Sequence, residues 1–246
     1  MKRALGVLGG MGPLASADFL SSIYDYNLDG VEQYSPIVYL YSDPTFPDRT
    51  DTFFAGRDQE LLELTENALH KLCEFDVTKI VIACITLHHL LPRLSAELRD
   101  KIISLPELVL ARVTESKQSH LLITSSGTRF TRIFENHPLW PAAAPYLVWP
   151  SEDDQHLVHE RIYREMKANG SVKNFVWFLE DLCRKYEVNS IIVGCTDIHR
   201  VSRYLSNGGN HHSLSFIDPL HIIAQEYEEF INEQAEHSRD AVSQHR

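Results

Sequence analysis

Apolar residues along this chain fall into two alternating kinds of pattern. Short β-branched runs, bounded by glycine or turn formers, read as buried strands: Ala4–Leu8, Ile37–Tyr41, Lys79–Ala83, Leu121–Thr124 and Ser190–Val193. Longer segments with a 3.6-residue period separate them. Pro13 suits the first turn of a helix running toward Tyr26. Asp58–Phe75 places Leu61, Leu64, Ala68, Leu69, Leu72 and Cys73 on one face. Helices are also predicted over Asp154–Ala168 and over Asn174–Tyr186, the latter with Phe175, Phe178, Leu179, Leu182 and Cys183 on its apolar face, and "RFTRIFEN" reads as helical. "SDPTFPDRT" reads as a loop.

The grammar occurs twice. "LHKLCEFDVTKIVIAC" aligns with "LEDLCRKYEVNSIIVGC" with one inserted residue, pairing Leu72 with Leu182, Cys73 with Cys183 and Cys84 with Cys195. His88 then pairs with His199, and "VLGGMG" falls near "LITSSG". Two similar strand–helix halves facing each other follow. The tail "FIDPLHIIAQEYEEFI" adds a strand and a helix that should return to the first half, and the polar chain beyond Asn232 should fray. Expected domains are therefore 1–112 with about 214–246, and 113–213.

Strand order then directs attention to the cysteines. In open α/β sheets, ligands bind beyond the carboxyl ends of the strands. Cys84 and Cys195 each stand at such an end, with a helix expected just after. A helix N-terminus lowers a thiol pKa and also holds a carboxylate. Cys73 and Cys183, mid-helix on apolar faces, read as small buried hydrophobes. Two facing thiols suit proton removal from one side of a carbon and proton return on the other, with helix N-termini stabilising the carbanion between the two steps.

Other motifs compete less well. Cys84/His88 and Cys195/His199 are both C-x3-H pairs, which is not a zinc-finger spacing, so no metal is expected. Gly10-x-Gly12-x-x-Ala15 matches a dinucleotide fingerprint in form, but the first acid in a suitable place, Asp43, lies too far on. A tight turn that lets backbone approach a small ligand is the better reading. "PDRT" could supply a carboxylate clamp, "SSGT" a small anion cradle and Lys167 a partner for an acid.

Composition narrows the class. A formal charge of −11 over 246 residues gives no electrostatic footprint for nucleic acid. No apolar stretch approaches the roughly 20 residues of a membrane span. The start, "MKRALGVLGGMGPLASA", has a basic end and small residues, but Gly6, Gly9, Gly10 and Gly12 break its short apolar part, against a signal peptide. A cytoplasmic location follows, in which the 4 cysteines are free thiols.

Taken together, "GVLGGMGPLASADF", "FPDRT", "ACITLHH", "TSSGT", "IYREMKANG" and "GCTDI" resemble, in order, the motifs of the aspartate/glutamate racemase family. The resemblance implies two pseudo-symmetric α/β domains with parallel sheets and a site in the cleft between them. It implies Cys84 and Cys195 as the acid/base pair for cofactor-independent racemisation at Cα of an amino acid. It places Met11, Arg49 and Lys167 at the substrate, with Thr86, Thr128 and Thr196 around its α-carboxylate and amine. Asp197 stands where the family has glutamate and would tune Cys195, with His88 and His199 in supporting places. A homodimer and no PLP are further implications. The family's asparagine after the first cysteine is Ile85 here, and losing one polar contact commonly costs about 1–3 kcal/mol. That departure leaves two alternatives: a related one-cysteine decarboxylase or isomerase, or a non-catalytic amino-acid binder.

Overall fold

The computed structural model describes residues 3–208 and 214–232. The first half runs β1 (Ala4–Gly9), α1 (Pro13–Asn27), β2 (Ile37–Ser42), α2 (Arg49–Phe54), α3 (Asp58–Cys73), β3 (Lys79–Ile82), a 3-10 segment Ile85–Arg93, α4 (Ala96–Lys101) and α5 (Leu105–Ser116). The second runs β4 (His120–Thr124), α6 (Ser126–Thr131), α7 (Trp140–Ala143), β5 (Leu147–Val148), α8 (Glu152–Arg161), a π-helical segment Ile162–Lys167, α9 (Val172–Lys185), β6 (Ser190–Gly194), a 3-10 turn Thr196–Ile198 and α10 (His199–Ser206). β7 (Ser215–Ile217), α11 (Pro219–Gln225) and α12 (Tyr227–Asn232) follow.

All strand pairs are parallel, in sheets ordered β2-β1-β3 and β5-β4-β6-β7. Apart from β7, the second order repeats the first strand for strand, as the paired motifs predict. In each sheet the chain reverses direction about its first strand, so a crevice opens at the carboxyl ends beside β1 and β4.

The strands are buried on both faces, and their period of two sorts them between cores. Leu5, Val7, Val81 and Ala83 of the first sheet join Leu122 and Ile192 of the second in one cluster with Phe19, Ile23, Val109, Leu220 and Ile223. Leu8, Ile80 and Ile82 face the other way, onto Leu61, Leu69 and Leu72 of α3. Leu121, Ile123, Ile191 and Val193 face Phe175, Leu179 and Leu182 of α9. The halves therefore share a central core, flanked by one outer core each.

Several expectations shift. Leu64, assigned to the apolar face of α3, is 37% exposed, and Leu62 and Thr65 take the buried positions instead. Cys73 is only half-buried. The strand of the tail returns not to the first sheet but to the second, beside β6, while α11 packs on α1. The helix expected over Asp154–Ala168 is α until Arg161 and π-helical beyond it. "RFTRIFEN" is helical only to Thr131, because Arg132 adopts a left-handed φ of 50°. The segments after both cysteines begin as 3-10 turns rather than α-helix. The expected fraying beyond Asn232 lies outside the described residues.

Candidate active site

The site is built from loops that leave the carboxyl ends of β1, β3, β4 and β6. Gly10 turns the chain at φ 93°, against the backbone of Asp43, so its conformational freedom serves a backbone crossing rather than a ligand. Gly12 answers a different need: a methyl group there would collide with Asp197 Oδ1. Ser16 holds the loop between them, accepting from Gly10 N–H at 3.0 Å and donating to the Gly12 carbonyl at 2.9 Å.

Arg49 proves to be the first residue of α2, not part of an extended turn. Asp48 caps that helix, its Oδ1 accepting from the N–H groups of Thr50 at 2.9 Å and Asp51 at 3.1 Å. The Arg49 guanidinium donates to the carbonyls of Pro47 at 2.9 Å, Met11 at 3.2 Å and Phe46 at 3.4 Å. Among the described residues no carboxylate lies within 4.0 Å of it. Burial opposes its charge, but the fields of Cys84 and Asp48 outweigh burial and raise its pKa.

One narrow cavity joins these pieces. It is lined by Met11, Arg49, Thr50, Cys84, Ile85, Thr86, Ser125, Tyr163, Lys167, Cys195, Thr196 and Asp197, and its free volume of ≈ 10 Å³ has room for about one water. The strand-end cysteines thus reach one space from the two halves. Cys195 Sγ lies 3.5 Å from Asp197 Oδ2, which also takes Lys167 Nζ at 2.7 Å. Burial first, then the Asp197 charge, pushes the Cys195 thiol pKa well above its ordinary value, against the pull of Lys167. Burial opposes the Lys167 charge, but Asp197 more than compensates.

Polar contacts between the halves surround the cavity. Thr196 Oγ1 donates to the Ala83 carbonyl at 2.9 Å, and the Thr86 and Thr128 hydroxyls share a 2.8 Å hydrogen bond. Thr128, expected at the substrate, does not line the cavity; it is buried behind Thr86 and also bonds Ser125 Oγ at 3.1 Å. Tyr163 donates to Asp48 Oδ2 at 2.7 Å and has Thr50 Oγ1 at 3.0 Å. Burial, reinforced by the Asp48 charge, drives the Tyr163 pKa far up. For Asp48, burial acts to raise the pKa, but the Tyr163 hydrogen bond, the Asp51 N–H, Arg49 and Lys167 prevail and lower it.

The two histidines lie outside the lining. His88 Nδ1 bonds the Cys84 carbonyl at 3.0 Å, and its Nε2 accepts from the Leu105 N–H at 3.2 Å, so it braces the backbone of Cys84. His199 turns to Asp218 at 2.6 Å and to Ser22 at 3.1 Å, away from Cys195. The C-x3-H pairs therefore do not assemble as a shared ligand set. Sequence reading missed Tyr163, Thr50 and Asp48. Tyr163 had a signal, since a residue four before Lys167 on one helix shares its face.

The family model for Asp/Glu/Hydantoin racemase matches residues 8–227. The chain belongs to this racemase family. Solved racemase-family structures share its fold. A Picrophilus torridus aspartate racemase superposes with a TM-score of 0.74 at 21% identity, covering 90% of this chain and 91% of the other. An aspartate racemase homologue from Pyrococcus horikoshii OT3 gives 0.66 at 17%, covering 94% and 100%. Glutamate racemase of Francisella tularensis, in complex with D-glutamate, gives 0.61 at 12%, covering 95% and 82%. The mixed α/β class with parallel sheets is thus that of the racemases. Among the described residues, no helix of this family member is long and apolar enough to cross a membrane.

Proposed function

We propose that this protein racemises an acidic amino acid by proton transfer between Cys84 and Cys195, without PLP. The observation that carries the reading is the shared cavity: both strand-end cysteines line it, beside an Arg49 guanidinium that has no carboxylate partner among the described residues. A buried cation of this kind favours an anionic substrate group, which it can grip bidentately. Lys167, by contrast, is already neutralised by Asp197 and serves mainly to fix that carboxylate next to Cys195.

The two sulfurs are not equivalent. Cys195 rests as a thiol donating toward Asp197, and so starts as the acid. Cys84, which lines the same cavity as Arg49, takes the part of the base. Abstraction by Cys84 leaves charge on the substrate carbanion, and protonation from Cys195 on the far side inverts Cα. For the other enantiomer the roles exchange. Thr86 and the N–H groups opening the 3-10 segments supply donors for the α-carboxylate and the developing charge. Ile85 is packed in the central core and is also among the residues that line the cavity, so the missing amide removes a donor and leaves an apolar residue at the wall. All four cysteines are unbridged, which fits the reducing cytoplasm, and a homodimer is the assembly we place there.

Deuterium incorporation at Cα in D₂O, followed over a panel of L- and D-amino acids, tests the reading. Exchange should occur with aspartate or glutamate and vanish in Cys84→Ala and Cys195→Ala. Turnover at the wild-type rate by either variant removes the two-base mechanism. Loss of CO₂ without exchange would instead identify a decarboxylase.

A further inference from the structure

Behind the active site, three side chains that the reaction does not use converge from α10 and α11. His199 opens α10, Asp218 caps α11, and His221 lies in the first turn of α11. One ligand atom from each lies within 4.8 Å of the other two. Asp218 divides its oxygens. Its Oδ1 accepts from the Leu220 and His221 N–H groups at 3.0 and 3.4 Å, while Oδ2 meets His199 Nδ1 at 2.6 Å.

The proton inventory of this cluster is informative. Ser22 Oγ donates to the Asp18 carbonyl at 3.0 Å, so its remaining capacity toward His199 Nε2, 3.1 Å away, is that of an acceptor. With the hydroxyl turned that way Nε2 carries the hydrogen and Nδ1 faces the carboxylate oxygen at 2.6 Å, a separation that a proton or a bound cation bridges. His221 is arranged alike: Nε2 lies 2.6 Å from the Tyr26 hydroxyl, and Nδ1 meets Ser202 Oγ, which also bonds Asp218, at a weak 3.4 Å. Both rings thus have their outer nitrogens anchored on hydroxyls and their inner nitrogens turned to the carboxylate, the orientation that outer hydrogen bonds impose on metal-bound histidine.

We propose that His199 Nδ1, Asp218 Oδ2 and His221 Nδ1 bind a divalent transition metal, zinc in the first instance, in a structural role. The donor set of two imidazoles and one carboxylate is one zinc accepts. Bond lengths near 2.0–2.2 Å at tetrahedral angles require the His199–Asp218 separation to widen to about 3.3 Å. The ion would clamp α10, which follows Cys195 directly, to α11, with α1 attached through Ser22 and Tyr26. The site is separate from the cavity and does not depend on the racemase reading.

The test uses the full chain, stripped with a chelator. Zinc is titrated in competition with a chromogenic chelator, and cobalt(II) is added as a spectroscopic substitute. One equivalent should bind, with a cobalt d–d spectrum free of sulfur-to-metal charge transfer. His221→Ala, altering a partly exposed residue, should weaken binding by at least about tenfold and abolish the rise in melting temperature that zinc gives the wild type. The Cys84→Ser/Cys195→Ser double variant should bind as the wild type does. Equal binding by wild type and His221→Ala, a thiolate charge-transfer band, or no binding at all would each overturn the proposal. In the last case His199 and Asp218 hold a proton instead.

Discussion

His88 offers a quantitative test of the architecture beneath the active site. The ring is 4% exposed and bridges the Cys84 carbonyl to the Leu105 N–H. Burial lowers its pKa from 6.5 to about 4, the backbone hydrogen bonds offsetting only part of that. A depressed histidine pKa means that the unfolded chain binds the proton more readily. The contribution of His88 is therefore complete above the unfolded value of about 6.5 and is lost as pH falls toward 4. At 1.36 kcal/mol per unit, the whole loss is about 3 kcal/mol, of which about 2 kcal/mol has gone by pH 5. Urea denaturation at pH 7 and pH 5 measures it. His88→Asn keeps a donor for the Cys84 carbonyl but gives Leu105 N–H no acceptor, so it should be less stable at pH 7 by about 1–2 kcal/mol. Its further loss on going to pH 5 should be smaller than that of the wild type by about 2 kcal/mol. Identical pH slopes in the two proteins would refute the assignment of His88 as a neutral buried brace. Nuclear magnetic resonance titration of the ring gives an independent reading, since it should stay neutral through pH 5.

Two further changes probe the cavity. Gly12→Ala pushes a methyl group into Asp197, so the carboxylate must leave Lys167 and Cys195; kcat/KM should fall at least about tenfold while the melting temperature changes little. Wild-type kcat/KM in that variant would show that the Asp197 position is immaterial. Tyr163→Phe removes the hydroxyl that bonds the Asp48 carboxylate across the halves and should lower stability by about 1.5–3 kcal/mol, read from the urea midpoint, a loss that Asp48→Asn should partly relieve in the double variant.

The fold was legible in the sequence where burial on both faces left one pattern available. Continuous runs such as Ile80–Ile82 and Ile191–Val193 can only be central parallel strands once turns bound them, and the internal repeat then fixes the matching strand orders. Legibility failed where tertiary contacts decide. Leu64 fits the α3 stripe by period, yet Leu62 and Thr65 are the residues that meet the sheet. The tail strand pairs with β6 because Ser215 finds a partner at Asn189, a long-range match with no local signature. In the site, both cysteines were readable because they repeat at matching strand ends, and Arg49 and Lys167 because "FPDRT" and "IYREMKANG" resemble family motifs. Asp48 was not, since an aspartate cap looks ordinary until it bonds Tyr163, and Tyr163 was marked only by its place four residues before Lys167. His199 was misplaced for a related reason. Its repeat partner His88 does brace a cysteine, but α11, which the first half of the repeat lacks, draws His199 to Asp218.

The narrowness of the cavity constrains how a substrate fits between the sulfurs. With ≈ 10 Å³ free, an amino acid enters only if lining groups part. Two kinds of contact resist that. The central core joins both sheets through residues such as Phe19, Val81 and Ile192, and exposing a buried phenylalanine there costs on the order of 3 kcal/mol before its neighbours are counted. The polar contacts of the rim are hydrogen bonds worth about 1 kcal/mol each, somewhat more to Asp48, and water replaces them once they open. Swinging the halves apart would break the first kind, whereas moving α2 away from the π-helical segment breaks the second and disturbs, of the apolar contacts, those of Phe53 and Phe54 with His89 and Phe130. The cheaper path opens between Asp48–Thr50 and Tyr163–Lys167, where a π-helical turn already departs from regular geometry. On that path Arg49 lines the gap, so the anionic substrate proposed above would meet its guanidinium while the central core stays shut.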